Sequence, residues 1–131
     1  MRWIAAFGAL ACLAACNTTP PTPDGAQLYD ENCAVCHGRF AQGDGVLARD
    51  LPVPPTDLTR LAAKNGGVFP AEQVIAQIFG YPGRYQSNPM PEFGAVLAGR
   101  PVPYRLETGE TVDTPAAIAA IVDHLKRVQT E

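Results

Sequence analysis

Cys33-Ala34-Val35-Cys36-His37 is the stretch on which the fold of this 131-residue chain turns. Two cysteines three apart lie on one face of a helical turn. Their thiols can therefore reach the vinyl groups on two neighbouring pyrroles of one porphyrin, and the adjacent His37 can supply a nitrogen to its iron. Cys-x-x-Cys-His is the attachment pattern of a c-type haem. Three other uses of these residues compete. A redox dithiol of the thioredoxin kind needs a βαβ setting, and Asp24 to Glu31 has no strand pattern. A zinc site needs four ligands, and beyond the motif only His124 and carboxylates remain. A structural disulfide would have no use for His37. Covalent haem, with Cys33 and Cys36 as thioethers and His37 as proximal ligand, accounts for all three residues.

Composition narrows the second axial ligand. The chain has two methionines, and Met1 lies in a segment expected to be removed, which leaves Met90. It sits in Asn88-Pro89-Met90-Pro91-Glu92-Phe93-Gly94. The flanking prolines fix φ and delete two amide donors, so the segment reads as a stiff loop. An isolated methionine usually packs a core. Downstream of a haem motif and held between two prolines, Met90 reads as the iron's sixth ligand. His124 is the rival imidazole, within a periodic C-terminal helix where a packing or surface role fits better.

The N-terminus bears on the compartment. Arg2 is a charged n-region, Trp3 to Ala11 an apolar h-region, and Leu13-Ala14-Ala15-Cys16 closes it. The apolar stretch from Trp3 to Cys16 is shorter than the about 20 residues a membrane span needs. A cleaved signal is the better reading, and Leu followed by two small residues and Cys resembles the bacterial lipobox. That resemblance implies a signal peptide over 1–15, lipidation of Cys16, and a polar tether to residue 23, rich in Thr and Pro. The protein is thus expected to be exported and anchored to a membrane, facing the periplasm, without spanning it. Overall, 10 basic residues against 13 acidic ones, with a net charge of −3, make a poor nucleic-acid binder.

Taken together, the pieces resemble a class I, single-haem bacterial c-type cytochrome. The resemblance rests on Cys33 to Gly38, Gly43-Asp44-Gly45, Leu51 to Thr59, Asn88 to Gly94 and the helix ending Val122-Asp123-His124-Leu125. It implies an all-α cytochrome c fold over 24–131, with short helices wrapped around one haem. It also implies that a proline carbonyl in the loop after the motif accepts the proximal histidine's Nδ1 proton. Pro52, Pro54 and Pro55 all qualify, with Pro55 favoured. First and last helices should cross, with Gly25 and Tyr29 against Ile121 and Leu125. Similar proteins usually carry an aromatic where His124 stands.

Patterning supplies the elements. Asp24 is a good N-cap, with Gln27 as capping-box partner, for a helix running to about Cys36. Ala71, Val74, Ile75, Ile78 and Phe79 make the apolar face of a second helix, with Pro70 in its first turn and Gly80 at its end. Thr114 should cap a last helix with Pro115 at its first position and a stripe of Ile118, Ile121, Val122, Leu125 and Val128. Before it, Tyr104-Arg105-Leu106-Glu107 and Glu110-Thr111-Val112-Asp113 flank Thr108-Gly109, which predicts a small β-hairpin insertion leaning on the body near Met90. Arg39, Arg84, Arg100 and Arg105 are candidates for pairing haem propionates.

The expected function is electron transfer through one covalently bound haem c with His37/Met90 ligation, and no catalysis. Partners would be respiratory or dehydrogenase complexes. A haem subunit of a periplasmic dehydrogenase or oxidase complex is the alternative. A haem peroxidase or a redox or gas sensor fits less well, because both axial positions are filled.

Overall fold

The computed structural model describes residues 21–80 and 90–131. Asp24 caps α1 (Gly25–Asn32), its carboxylate accepting from the amides of Ala26 and Gln27. Such a cap stabilises a helix by about 1 kcal/mol. Gln27 does not complete a capping box; its amide donates forward to Glu31 at 2.8 Å. The expected single helix to Cys36 is broken at Cys33, and a second short helix, α2 (Ala34–His37), carries the rest of the motif. Further along come α3 (Leu61–Lys64), α4 (Ala71–Phe79) and α5 (Ala116–Arg127).

α4 buries Ala71, Ile75, Ala76 and Ile78 and ends at Gly80, whose left-handed φ of 85° only glycine adopts without strain. α5 buries Ile118, Ala119, Ile121, Val122 and Leu125. The two apolar faces, with Tyr29, Phe69, Leu97, Tyr104 and Leu106, make one core cluster.

The hairpin forms, offset from its predicted limits. β1 (Pro101–Arg105) pairs antiparallel with β2 (Thr111–Pro115), and Tyr104 lies opposite Val112. It is fastened to α5: the Tyr104 hydroxyl donates to Asp123 at 3.0 Å, and Lys126 pairs with Glu107. Thr114 is not a helix cap. It belongs to β2, fully buried, with its hydroxyl turned back to the Val112 carbonyl, and Pro115 occupies the cap position.

α1 and α5 cross at Gly25. A Cβ on that glycine would come within 2.0 Å of the Ala120 carbonyl oxygen. Tyr29 continues the contact one turn on, its ring 5.2 Å from that of His124 and tilted by 41°. His124 thus fills the place where similar proteins carry an aromatic. Among the described residues no helix is long and apolar enough to cross a membrane.

Candidate functional site

The haem motif sits at the end of α1 and along α2, and the following loop is folded back on it. The amides of Gly43, Gly45 and Leu47 donate to the carbonyls of His37, Cys36 and Val35 at 2.8, 3.0 and 3.0 Å. These bonds satisfy the carbonyls at the end of a one-turn helix. The approach is close enough that a Cβ on Gly45 would lie 2.5 Å from the Val35 and Cys36 carbonyl oxygens. This is the physical content of the Gly43-Asp44-Gly45 piece. The buried Tyr29 hydroxyl braces the same corner, donating to the Gly38 carbonyl at 2.8 Å.

His37 Nδ1 lies 3.0 Å from the Thr56 carbonyl oxygen. This corrects the expectation for Pro55. The Pro55 carbonyl is turned to Gly43, where a Cβ would meet it at 2.4 Å. Along this strap after the motif loop, the next carbonyl, that of Thr56, is the one that faces the imidazole. With a carbonyl as partner, Nδ1 carries the proton and Nε2 is the nitrogen left for a metal. Burial pushes the His37 pKa down from its usual value, and the Thr56 bond opposes it. The neutral ring is the form that ligates iron.

Cys33 and Cys36 are free thiols, half-buried. Burial, with Cys36 beside it, pushes the Cys33 thiol up to about 12. A group held so far from thiolate is a poor redox nucleophile. Among the described residues no cluster of three or more His, Cys, Asp or Glu could hold a metal ion, so the residues around the motif do not build a zinc site. The arrangement that remains, two thiols on one turn and a tautomer-fixed imidazole beside them, fits haem c.

Met90 is half-buried against the core cluster. The segment after it is laid on the end of α4: the amides of Phe93 and Gly94 donate to the carbonyls of Ile78 and Phe79 at 2.9 and 3.1 Å. Gln77, on α4, donates to the Met90 sulfur at 3.7 Å. Pro89, Arg84 and Cys16 lie outside the described residues, and Arg39, Arg100 and Arg105 are exposed. A cleft of about 570 Å³ lined by Asp24, Tyr29, Arg39, Phe40 and His124, among others, includes none of Cys33, Cys36, His37 and Met90.

A family model described as cytochrome C oxidase, cbb3-type, subunit III matches residues 20–102. The chain belongs to that family. No curated protein and no solved structure matches it. It is therefore a c-type cytochrome domain, of short helices and a small two-stranded sheet, and its family implies haem-based electron transfer. Most of the hairpin and all of α5 follow the matched segment.

Two residues were not singled out in the sequence. Thr56 could not be, because which carbonyl faces His37 depends on the fold of Gly43 against the strap. Gln77 left a faint trace, an amide one position away from the Ile78 of an apolar helix face.

Proposed function

We propose that this cytochrome domain carries electrons through one covalently attached haem c, held by Cys33 and Cys36 and ligated axially by His37 and Met90. The observation that carries the reading is the Nδ1–Thr56 bond. It gives a histidine in the motif the tautomer, orientation and basicity of a metal ligand. The thiols sit on the same turn, and Met90 is the one thioether left once Met1 is removed with a signal.

Bound there, haem supplies a one-electron ferric–ferrous couple. The residues do the rest. His37 and Met90 would hold the iron through an imidazole nitrogen and a thioether sulfur, which would exclude oxygen, peroxide and other small ligands. A thioether opposite imidazole raises the potential above that of a bis-histidine site. The backbone clasp from Gly43 to Leu47 holds the motif in one geometry, so little rearrangement accompanies electron transfer. An anchor at Cys16 would keep the domain at the periplasmic face of a membrane.

The test is optical. The haem-loaded protein should be low-spin in both oxidation states and unreactive to carbon monoxide, and the haem should survive acid–acetone extraction. A high-spin wild type that binds carbon monoxide would instead point to an enzyme or a sensor. A second reading, that the chain is the electron-delivering subunit of an oxidase complex, draws on the family's description. Co-isolation of terminal oxidase activity with the full tagged chain would support it.

A further inference from the structure

We infer that Gln77 is a positioning residue for the electron-transfer site, setting the donor strength and orientation of the Met90 sulfur. This rests on the reading of Met90 as an iron ligand. A thioether sulfur has two lone pairs and is a weak hydrogen-bond acceptor. If one pair goes to iron, a donor fixed on the other selects which pair that is. The contact is present: Gln77 Nε2 donates to Met90 Sδ at 3.7 Å in a part-buried setting.

The geometry is built to last. Gln77 stands on α4, one residue from the buried Ile78. The same last turn of α4 fastens the segment that follows Met90, through the carbonyls of Ile78 and Phe79. Gly80 and Gly94 allow that closeness. A Cβ on Gly80 would lie 2.4 Å from the Glu92 side chain, and one on Gly94 would lie 2.5 Å from the Phe79 carbonyl oxygen. Donor and acceptor are thus tied to one helix end rather than meeting across a flexible gap. Among the described residues the sulfur is the only partner of the Gln77 side chain. A half-buried amide with a weak acceptor as its partner costs more than an apolar side chain there would. Packing alone does not call for it.

The chemical consequence has a sign. An N–H on sulfur withdraws electron density, weakens the thioether as a donor to ferric iron, and so favours the ferrous state. Gln77 therefore raises the reduction potential, and in its absence the ferric protein holds Met90 more firmly.

The experiment uses the full haem-loaded protein and three variants. Gln77→Leu removes the donor at similar size. Gln77→Asn keeps a polar amide but shortens its reach by one methylene. Met90→Ala tests the underlying ligation. Potentials come from spectroelectrochemical titration, and the ferric far-red sulfur-to-iron band reports the bond itself. Both Gln77 variants should keep that band, displaced from its wild-type position, and both should have a lower potential. If Gln77→Leu yields no folded protein, the Asn variant and the band position still decide. If Asn matches wild type while Leu falls, local polarity and not the hydrogen bond is responsible, and the inference is overturned. It is also overturned if Met90→Ala opens the iron to carbon monoxide while both Gln77 variants match wild type. Should Met90→Ala leave the band and the carbon monoxide resistance intact, the ligand assignment itself fails.

Discussion

Gly43 acts on the proximal side of the site through the Cβ it lacks. Its φ is +83°, and a Cβ would come within 2.4 Å of the Pro55 carbonyl oxygen, a backbone atom that cannot step aside alone. Gly43→Ala should cost roughly 2–4 kcal/mol from backbone strain and overpacking together. Because Pro55 precedes Thr56, the displacement should also loosen the Thr56–His37 bond. Thermal denaturation checks the first effect, and a raised potential, from a less basic imidazole that holds ferric iron less well, checks the second. The example shows what was legible at this scale. Cys33, Cys36, His37 and Met90 announce themselves by type and spacing. A carbonyl has no such signature: the prolines mark the loop, while the bond goes to Thr56. His124 shows the same limit with a different consequence. Burial and Arg127 hold its pKa below the usual histidine value, against the opposing pull of Asp24 and Asp30. The folded state thus prefers the neutral ring. That stability is present above about pH 6.5, the unfolded value, and is lost as pH falls through 6.5 toward the lowered folded value. His124→Phe keeps an aromatic against Tyr29 and removes the titration. The drop in denaturation midpoint between pH 7.5 and pH 5 should be smaller in the variant than in wild type; an equal drop would assign the acid sensitivity to other groups.

Among the elements, the α1–α5 crossing sets the frame for the motif, because Cys33 follows α1 directly. Gly25→Ala forces a methyl to within 2.0 Å of the Ala120 carbonyl oxygen. Neither helix backbone can yield without displacing the contacts of Tyr29 and Ile121. The expected loss is about 1–3 kcal/mol or more, read as a lower denaturant midpoint. The apolar stripes of α4 and α5 were plain from their periodicity, since burial on one face leaves a 3.6-residue record. The break at Cys33, whose φ of −117° departs from helical geometry, left no such record in the apolar pattern. Thr114 departs from its local preference: Ser and Thr before a helix are cap candidates, and pairing of β2 with β1 overrides that preference. The hairpin is pinned to α5 by the Tyr104–Asp123 bond, whose surroundings push the Tyr104 hydroxyl pKa upward through burial and Asp123. Tyr104→Phe should remove about 1 kcal/mol and leave the haem spectrum unchanged, which a paired denaturation and optical measurement would show.

At the scale of the whole molecule, the question is how the domain meets its partners. The chain is acidic, and among the described residues no helix is long and apolar enough to cross a membrane; a lipid on Cys16 is the proposed attachment. Eight residues, 16–23, separate that point from the first residue of the folded domain. Fully extended they reach at most about 26–29 Å. An anchored domain on such a tether samples a shell one domain-width from the bilayer, where membrane redox complexes present their surfaces. One acyl chain binds a membrane only marginally, whereas two or more hold it firmly. Cys16→Ser should therefore move the protein from the membrane to the soluble periplasmic fraction, with its haem spectrum and potential intact. Electron delivery to a membrane partner should then become dependent on protein concentration, since the tether no longer supplies a high local one. Retention in the membrane fraction after Cys16→Ser, or a mature N-terminus other than a modified Cys16 by mass spectrometry, would refute the anchor. The domain would then be held by protein contacts or by the uncleaved N-terminal segment.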